Sequence, residues 1–349
     1  MKEVASGFAT FEIAPSTLQR AVEHLARLVD ADSTSGREEP GVAVAEAICE
    51  ELALTVHRMP AAPGRDNLLV GSSDAEVVLC THLDTVPPHI PSTVDDVWVH
   101  GRGACDAKGI AIAMLYALRA VCDEIGPNDR AACLLVVGEE TDHIGAQAAV
   151  DAGMRPRHII LGEPCGLKPA VAQKGLLKVT LTANGAAGHS AYPDCGVSAV
   201  HVLLDALHEL RQAELPMDAA LGETTINVGE IHGGVAANVM APEAHASLLV
   251  RCAAPVDAVL SAIRALLPPT ISIDVLSRAE PRELATLDVE AGPAVPFNTD
   301  AAWLAPTGAA LTLLGPGDMR CAHAPRERLA ISELRAGIET YARLVMRLL

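Results

Sequence analysis

Four short apolar runs, at 67–70, 77–80, 134–137 and 158–161, are each bounded by breakers, and the last three lead into His82, into Glu139 and Glu140, and into Glu163. Runs of this length bounded in this way read as buried strands. Residues 107–125, rich in Ala, Leu, Ile and Met, supply a crossover helix between the second run and the third. Strands alternating with helices predict an α/β sheet, and in open sheets of that kind ligands bind beyond the carboxyl ends of the strands. The polar residues that close these runs are therefore the first candidates for function.

The rest of the chain is organised around that sheet. Ser16 is placed to cap a helix with Leu18, Val22, Leu25 and Leu28 on one face, and a second helix is expected over 42–52. After Pro169 the pattern changes: 176–182 and 246–250 read as strands with an exposed face, and 197–211 and 256–266 as helices. Residues 281–297 are Pro-rich and irregular, 309–314 resumes as a strand, and Ser332 opens a closing helix with Leu334, Ile338, Tyr341 and Val345 as its buried stripe. A chain of 349 residues exceeds one hydrophobic core. The expected division is an α/β domain from 1–169 and 280–349, with a mostly parallel sheet, interrupted by an inserted α+β domain at 170–279.

Composition excludes several function classes. A net charge of −18 argues against nucleic acid and anionic membrane as partners, because phosphate neutralisation requires clustered Lys and Arg. Nine cysteines form no CxxC pair, which argues against a disulfide framework or a structural zinc knot and fits a reducing compartment. Residues 1–11 hold no signal-type apolar core and no segment reaches about 18 uninterrupted apolar residues, so a cytoplasmic protein is expected. With 2% aromatic residues, its core must be packed mainly from Ala, Val, Leu and Ile.

In Thr81-His82-Leu83-Asp84 the period of a strand puts His82 and Asp84 on one face, so the Asp84 carboxylate is placed to orient a metal-bound His82. Taken singly, His82 would be a hydrogen-bonded histidine at a strand end. Gly101-Arg102-Gly103-Ala104-Cys105-Asp106 is a glycine-rich turn that delivers Asp106 to a helix start, where a carboxylate can bridge two cations. A phosphate-cradling loop is disfavoured, since Lys108 precedes Gly109 and neither GK[ST] nor G-x-G-x-x-G follows. Glu139 and Glu140 are consecutive, so one can ligate while the other serves as a base. Crowded carboxylates repel one another unless a cation or proton intervenes. Cys105, Cys165 and Cys195 raise a thiolate mechanism, but no base and orienting partner are dedicated to any of them.

The ordered set H-x-D-T-V-P, G-R-G-x-x-D-x-K-G, G-E-E, G-E-P, Gly188-His189-Ser190 and His323-Ala324-Pro325-Arg326-Glu327 resembles the dinuclear zinc amidohydrolases and peptidases that include acetylornithine deacetylase, succinyl-diaminopimelate desuccinylase, aminoacylase and carboxypeptidase G. The resemblance covers nearly the whole chain. It implies that Asp106 bridges two zinc ions, with His82 and Glu163 completing one site and Glu140 and His323 the other, cobalt or manganese being able to serve as well. Glu139 becomes the general acid/base for a water whose proton affinity the metals lower. His189 would stabilise the oxyanion, often across a homodimer built on the inserted lid, and Asn238 and Arg251 would hold a substrate carboxylate.

Gly315-Pro316-Gly317-Asp318 and Glu327 point to the acetylornithine deacetylase branch, whereas Phe297-Asn298-Thr299-Asp300-Ala301-Ala302 lacks the arginine of the Gly-Gly-x-Asp-x-Arg segment found in many relatives. The expected substrate is an N-acyl amino acid such as N-acetylornithine or N-acetylcitrulline. The alternatives are a di- or tripeptidase or carboxypeptidase of the same family, and a catalytically silent metal-binding protein.

Overall fold

The computed structural model describes residues 11–127, 129–287 and 289–349. Residues 1–10, read above for the absence of a signal-type core, lie outside them. The chain divides into two compact units: one comprises the chain up to Ala170 with Leu284–Gly292 and Trp303–Leu349, the other Val171–Glu283 and Pro293–Ala302.

The first unit opens with α1 (Pro15–Asp30) and α2 (Glu39–Glu51), followed by the hairpin β1 (Val56–Ala62) and β2 (Arg65–Val70). Ser16 does not cap α1: the helix starts at Pro15 with Ala14 as N-cap and no side-chain capping bond, because a proline at the first position has its φ already set and no N–H to satisfy. Leu18, Val22, Leu25 and Leu28 are buried as the spacing predicts.

Then come β3 (Val77–His82), α3 (Lys108–Ile125), β4 (Ala131–Val136), α4 (Ile144–Asp151) and β5 (His158–Leu161). The sheet runs β1-β2-β4-β3-β5 and is completed, after the insert, by β10 (Ala310–Leu313). Strands β4, β3, β5 and β10 are parallel and the β1–β2 hairpin adds antiparallel pairing, giving the mixed, mostly parallel sheet expected. Every residue of β3 and of β4 is buried, as strands covered on both faces require. Helix α3 is buried nearly all round, with Ile110, Ile112, Met114 and Leu115 fully enclosed. The carboxy-terminal helix (Ile331–Leu348) packs on α3 through Leu334, Ile338, Tyr341 and Val345, all buried.

The second unit is an antiparallel sheet of β6 (Gly175–Asn184), β7 (Thr225–Gly233), β8 (Glu243–Cys252) and β9 (Ile271–Ala279), in the order β7-β8-β6-β9. Residues of β6 and β8 alternate between buried and more exposed, and the buried set (Leu177, Val179, Leu181, Leu248, Val250) packs with α5 (Ala199–Gln212) and α6 (Val256–Leu266). The sequence reading named β6 and β8 but not β7 and β9. These are edge strands whose residues are mostly exposed, so hydrophobic alternation does not mark them. Among the described residues no helix is long and apolar enough to cross a membrane.

Candidate active site

The donors named from the sequence converge at the carboxyl ends of the parallel strands in the first unit. His82 is the last residue of β3, Glu139 and Glu140 follow the end of β4 at Val136, and Glu163 follows the end of β5 at Leu161. Asp106 precedes α3, and His323 lies in the loop after β10. One atom each from His82, Asp106 and Glu140 lies within 4.8 Å of the others, and the same holds for His82, Glu139 and Glu163.

Asp106 is the hub. Its Oδ1 lies 3.1 Å from His82 Nε2, and its Oδ2 lies 3.5 Å from His323 Nε2. Each oxygen therefore faces a different imidazole. His323 Nε2 is also 2.9 Å from Glu140 Oε1. His82 is enclosed, and its Nδ1 bonds the backbone carbonyl of Asp84 at 2.9 Å, which leaves Nε2 directed at Asp106. That carbonyl is the nearer partner, with the Asp84 carboxylate at 3.5 Å from Nδ1. The carboxylate instead accepts the backbone N–H groups of Glu139 at 3.0 Å and Glu140 at 3.1 Å, and the Ser35 hydroxyl at 2.8 Å. Asp84 thus fixes the Glu139–Glu140 turn as well as the imidazole. Leu83 donates its N–H to the carbonyl of Val136, the last residue of β4, at 2.9 Å.

Protons and charges are shared within the cluster. Hydrogen bonds to Asp106 and Glu140 raise His323 to about 10. Burial pulls His82 down, but bonds to Asp106 and Asp84 outweigh it and leave this imidazole well above its ordinary value. Burial pushes Asp106 up, and His323 and His82 more than reverse that, holding it below the usual carboxylate range. Glu140 is raised, chiefly by burial. Several carboxylates and two imidazoles packed this closely fit divalent cations, which satisfy buried acids that would otherwise repel one another. Asp106 is common to both imidazoles, so this donor set is a candidate dinuclear site.

Sequence reasoning gave no role to Arg102 and used Glu327 only as a marker of subfamily, and both prove central to the site's architecture. Glu327 Oε1 accepts the backbone N–H groups of Gly103 at 2.9 Å, Cys105 at 3.2 Å and Asp106 at 3.0 Å, while Oε2 pairs with Arg102 Nη1 at 2.6 Å. Both side chains are buried. Arg102 also reaches the carbonyls of His323 and Ala324, each at 3.4 Å. One ion pair therefore ties the loop presenting Asp106 to the loop presenting His323. The two motifs quoted as G-R-G and R-E contained the signal, but only tertiary structure pairs them. Burial raises the Cys105 and Cys165 thiols, the latter to about 12, so neither is a ready thiolate.

His189, Asn238 and Arg251 belong to the second unit. His189 is exposed, its Nδ1 accepts the N–H of Ala191 at 3.1 Å, and its ring meets Tyr192 edge-on with centroids 5.9 Å apart. Asn238 lies beside it, accepting the Ser190 N–H on its carbonyl at 3.1 Å. Arg251 sits near the far end of β8, paired across from Leu176 and Thr225, and the fold does not bring it to His189 within this unit.

A model of the peptidase family M20/M25/M40 matches residues 78–347, a span that includes every one of these donors. The chain belongs to this family. It is 33% identical over 329 residues to a "Peptidase M20 domain-containing protein" of Schizosaccharomyces pombe, covering 91% of this chain and 82% of that protein. A protein of Aspergillus terreus named "Probable carboxypeptidase" is 32% identical over 364 residues, covering 91% and 84%. Among solved structures, a tripeptidase from Staphylococcus aureus shares the fold with a TM-score of 0.78 at 21% identity, over 95% of this chain and 99% of that one. As an M20 family member, the chain is placed among hydrolases. The acetylornithine deacetylase branch expected from the sequence is not what these relatives favour.

Proposed function

We propose that this M20 family member is a metal-dependent peptidase, a carboxypeptidase or a di- or tripeptidase, that hydrolyses a peptide bond near a chain end. The observation that carries the reading is Asp106, whose two carboxylate oxygens face two different histidines. His82 and Glu163 would hold one divalent ion, Glu140 and His323 the other, with Asp106 shared. When bound, the ions supply Lewis acidity toward the scissile carbonyl and lower the proton affinity of water at the site.

The protein's own groups do the rest. Glu139, adjacent to the ligands but on a turn fixed by Asp84, takes the proton of the attacking water as its oxygen bonds the carbonyl carbon. It returns that proton to the amine nitrogen as the C–N bond breaks. The products are a carboxylate and a free amine. His189 is proposed to stabilise the oxyanion, a role that rests on the family resemblance.

The N-acetyl amino acid substrate expected from the sequence gains no support from the relatives, and the peptidase alternative is the better supported of the two. The test is amine release from di- and tripeptides, carboxyl-blocked peptides and N-acetyl or N-succinyl amino acids, by metal-loaded protein, a chelated control and Glu139→Gln. Peptides should be cleaved only with metal present, and Glu139→Gln should lose about 100- to 10,000-fold in kcat while retaining metal. Turnover of acylated amino acids alone would overturn the peptidase reading, and equal rates for wild type and Glu139→Gln would overturn the role of Glu139.

A further inference from the structure

We propose that His143 is a positioning residue for Glu139. The inference rests on the reading of Glu139 as the proton carrier and adds how its carboxylate is held. After β4 the chain closes a tight turn in which the N–H groups of Thr141, Asp142 and His143 all converge on the Gly138 carbonyl, at 3.3, 3.0 and 2.6 Å. The turn brings residue 143 back beside residue 139. A carboxylate oxygen of Glu139 lies within 4.8 Å of a ring nitrogen of His143.

Two further features set this histidine apart. Its backbone is left-handed, with φ 54° and ψ 25°, a conformation uncommon for residues other than glycine. Its ring is buried and stacked on Trp303, with centroids 3.6 Å apart and planes 13° from parallel. A glycine would satisfy the turn with less strain, so the turn does not account for the ring. The stack fixes the plane of the imidazole and with it the direction of the nitrogen beside Glu139. A glutamate has three side-chain torsions to order, and a fixed neighbour reduces the wrong arrangements open to it in the step where the proton moves.

The test uses the full-length, metal-loaded protein and the best peptide of the panel above. His143→Gly suits the left-handed backbone and removes only the ring. We expect kcat to fall about ten- to a hundredfold, with KM and metal content unchanged, because what is lost is alignment in the transition state. His143→Asn tolerates the same backbone and keeps an N–H donor, so it should recover part of the loss. Trp303→Leu should lower kcat in the same way, and the double variant with His143→Gly should be no worse than either single one. A purely structural role would lower thermal stability and leave kcat intact. Wild-type kcat in His143→Gly, loss of metal in that variant, or additive effects with Trp303→Leu would overturn the proposal. Should Glu139→Gln remain active, the reading of Glu139 itself fails; should Glu139→Gln be inactive while His143→Gly turns over normally, only this proposal fails.

Discussion

Replacing Glu327 by glutamine tests whether one buried ion pair holds the Asp106 loop. The glutamine oxygen can still accept the N–H groups of Gly103, Cys105 and Asp106, which the carboxylate now receives at 2.9, 3.2 and 3.0 Å. Those bonds weaken, since a charged acceptor makes them roughly twice as strong as a neutral one. The larger effect lies at the other oxygen, where an amide N–H₂ would face Arg102 in place of the acceptor at 2.6 Å. The Arg102 guanidinium would then be buried with only carbonyls at 3.4 Å as partners. Breaking a buried pair from one side costs about 3–5 kcal/mol, and at about 2–4 °C per kcal/mol for a domain of this size the melting temperature should fall by roughly 10 °C. Metal affinity, measured by competition with a chromogenic chelator, should weaken about ten- to a hundredfold as Asp106 loses its fixed position. Arg102→Met should also destabilise, and the double variant should cost less than the sum of the two by about 1–3 kcal/mol. A Glu327→Gln protein with unchanged melting temperature and metal affinity would refute the clamp.

Chelation should abolish peptide cleavage and lower the melting temperature, by about 2.7 kcal/mol of lost stabilisation where free metal had stood at a hundred times its dissociation constant, and added divalent ion should restore both. Because hydrogen bonds to Asp106 and Glu140 keep His323 protonated up to about 10, metal must displace that proton, so apparent affinity should rise with pH across the neutral range, with proton release seen by calorimetry in buffers of different ionisation enthalpy. In the first unit, His24 accepts the Tyr116 hydroxyl on Nδ1 at 3.1 Å and faces Glu51 through Nε2 at 3.0 Å, and burial holds it below its ordinary 6.5. The unfolded chain therefore binds the proton more readily, so this stability is present above pH 6.5 and lost as pH falls toward the folded-state value. His24→Gln should flatten that acid limb in denaturant titrations, and an unchanged limb would exclude His24 as its source.

The donors were legible in the sequence because each is a chemically distinctive residue at or just beyond the end of an apolar strand: His82 closing β3, Glu139 and Glu140 beyond β4, Glu163 beyond β5. Strand polarity then brings them to one edge, whatever the details of packing. His323 was legible only through the family resemblance, since it lies ten residues beyond Leu313 in a loop with no periodic pattern. What holds the donors was not legible. Glu327 meets a loop more than 220 positions earlier in the chain, and His143 occupies a backbone conformation for which the sequence would suggest glycine. The Asp84 carboxylate was expected at the imidazole and serves mainly the N–H groups of Glu139 and Glu140, a turn whose closure period-two reasoning does not describe.

The same distinction explains why the substrate expected from the sequence gains no support from the relatives. The preference for acetylated amino acids was drawn from Gly315-Pro316-Gly317-Asp318 and Glu327, and these residues belong to the scaffold. Glu327 binds the amides of the Asp106 loop. Gly317 takes φ 94° against Cys105, where a Cβ would lie 2.6 Å from the sulfur, and Gly315 packs so closely on the Glu163 backbone that a Cβ would lie 2.4 Å from its carbonyl oxygen. Glu327, Gly317 and Gly315 each meet a segment that carries a metal-ligand candidate, and such contacts are required equally for a peptide and for an acylated amino acid, because both reactions place one amide carbonyl beside the same donors. Motifs that secure the metal loops thus identify the family and its chemistry. Discrimination between substrates must come from side chains that meet the groups flanking the amide.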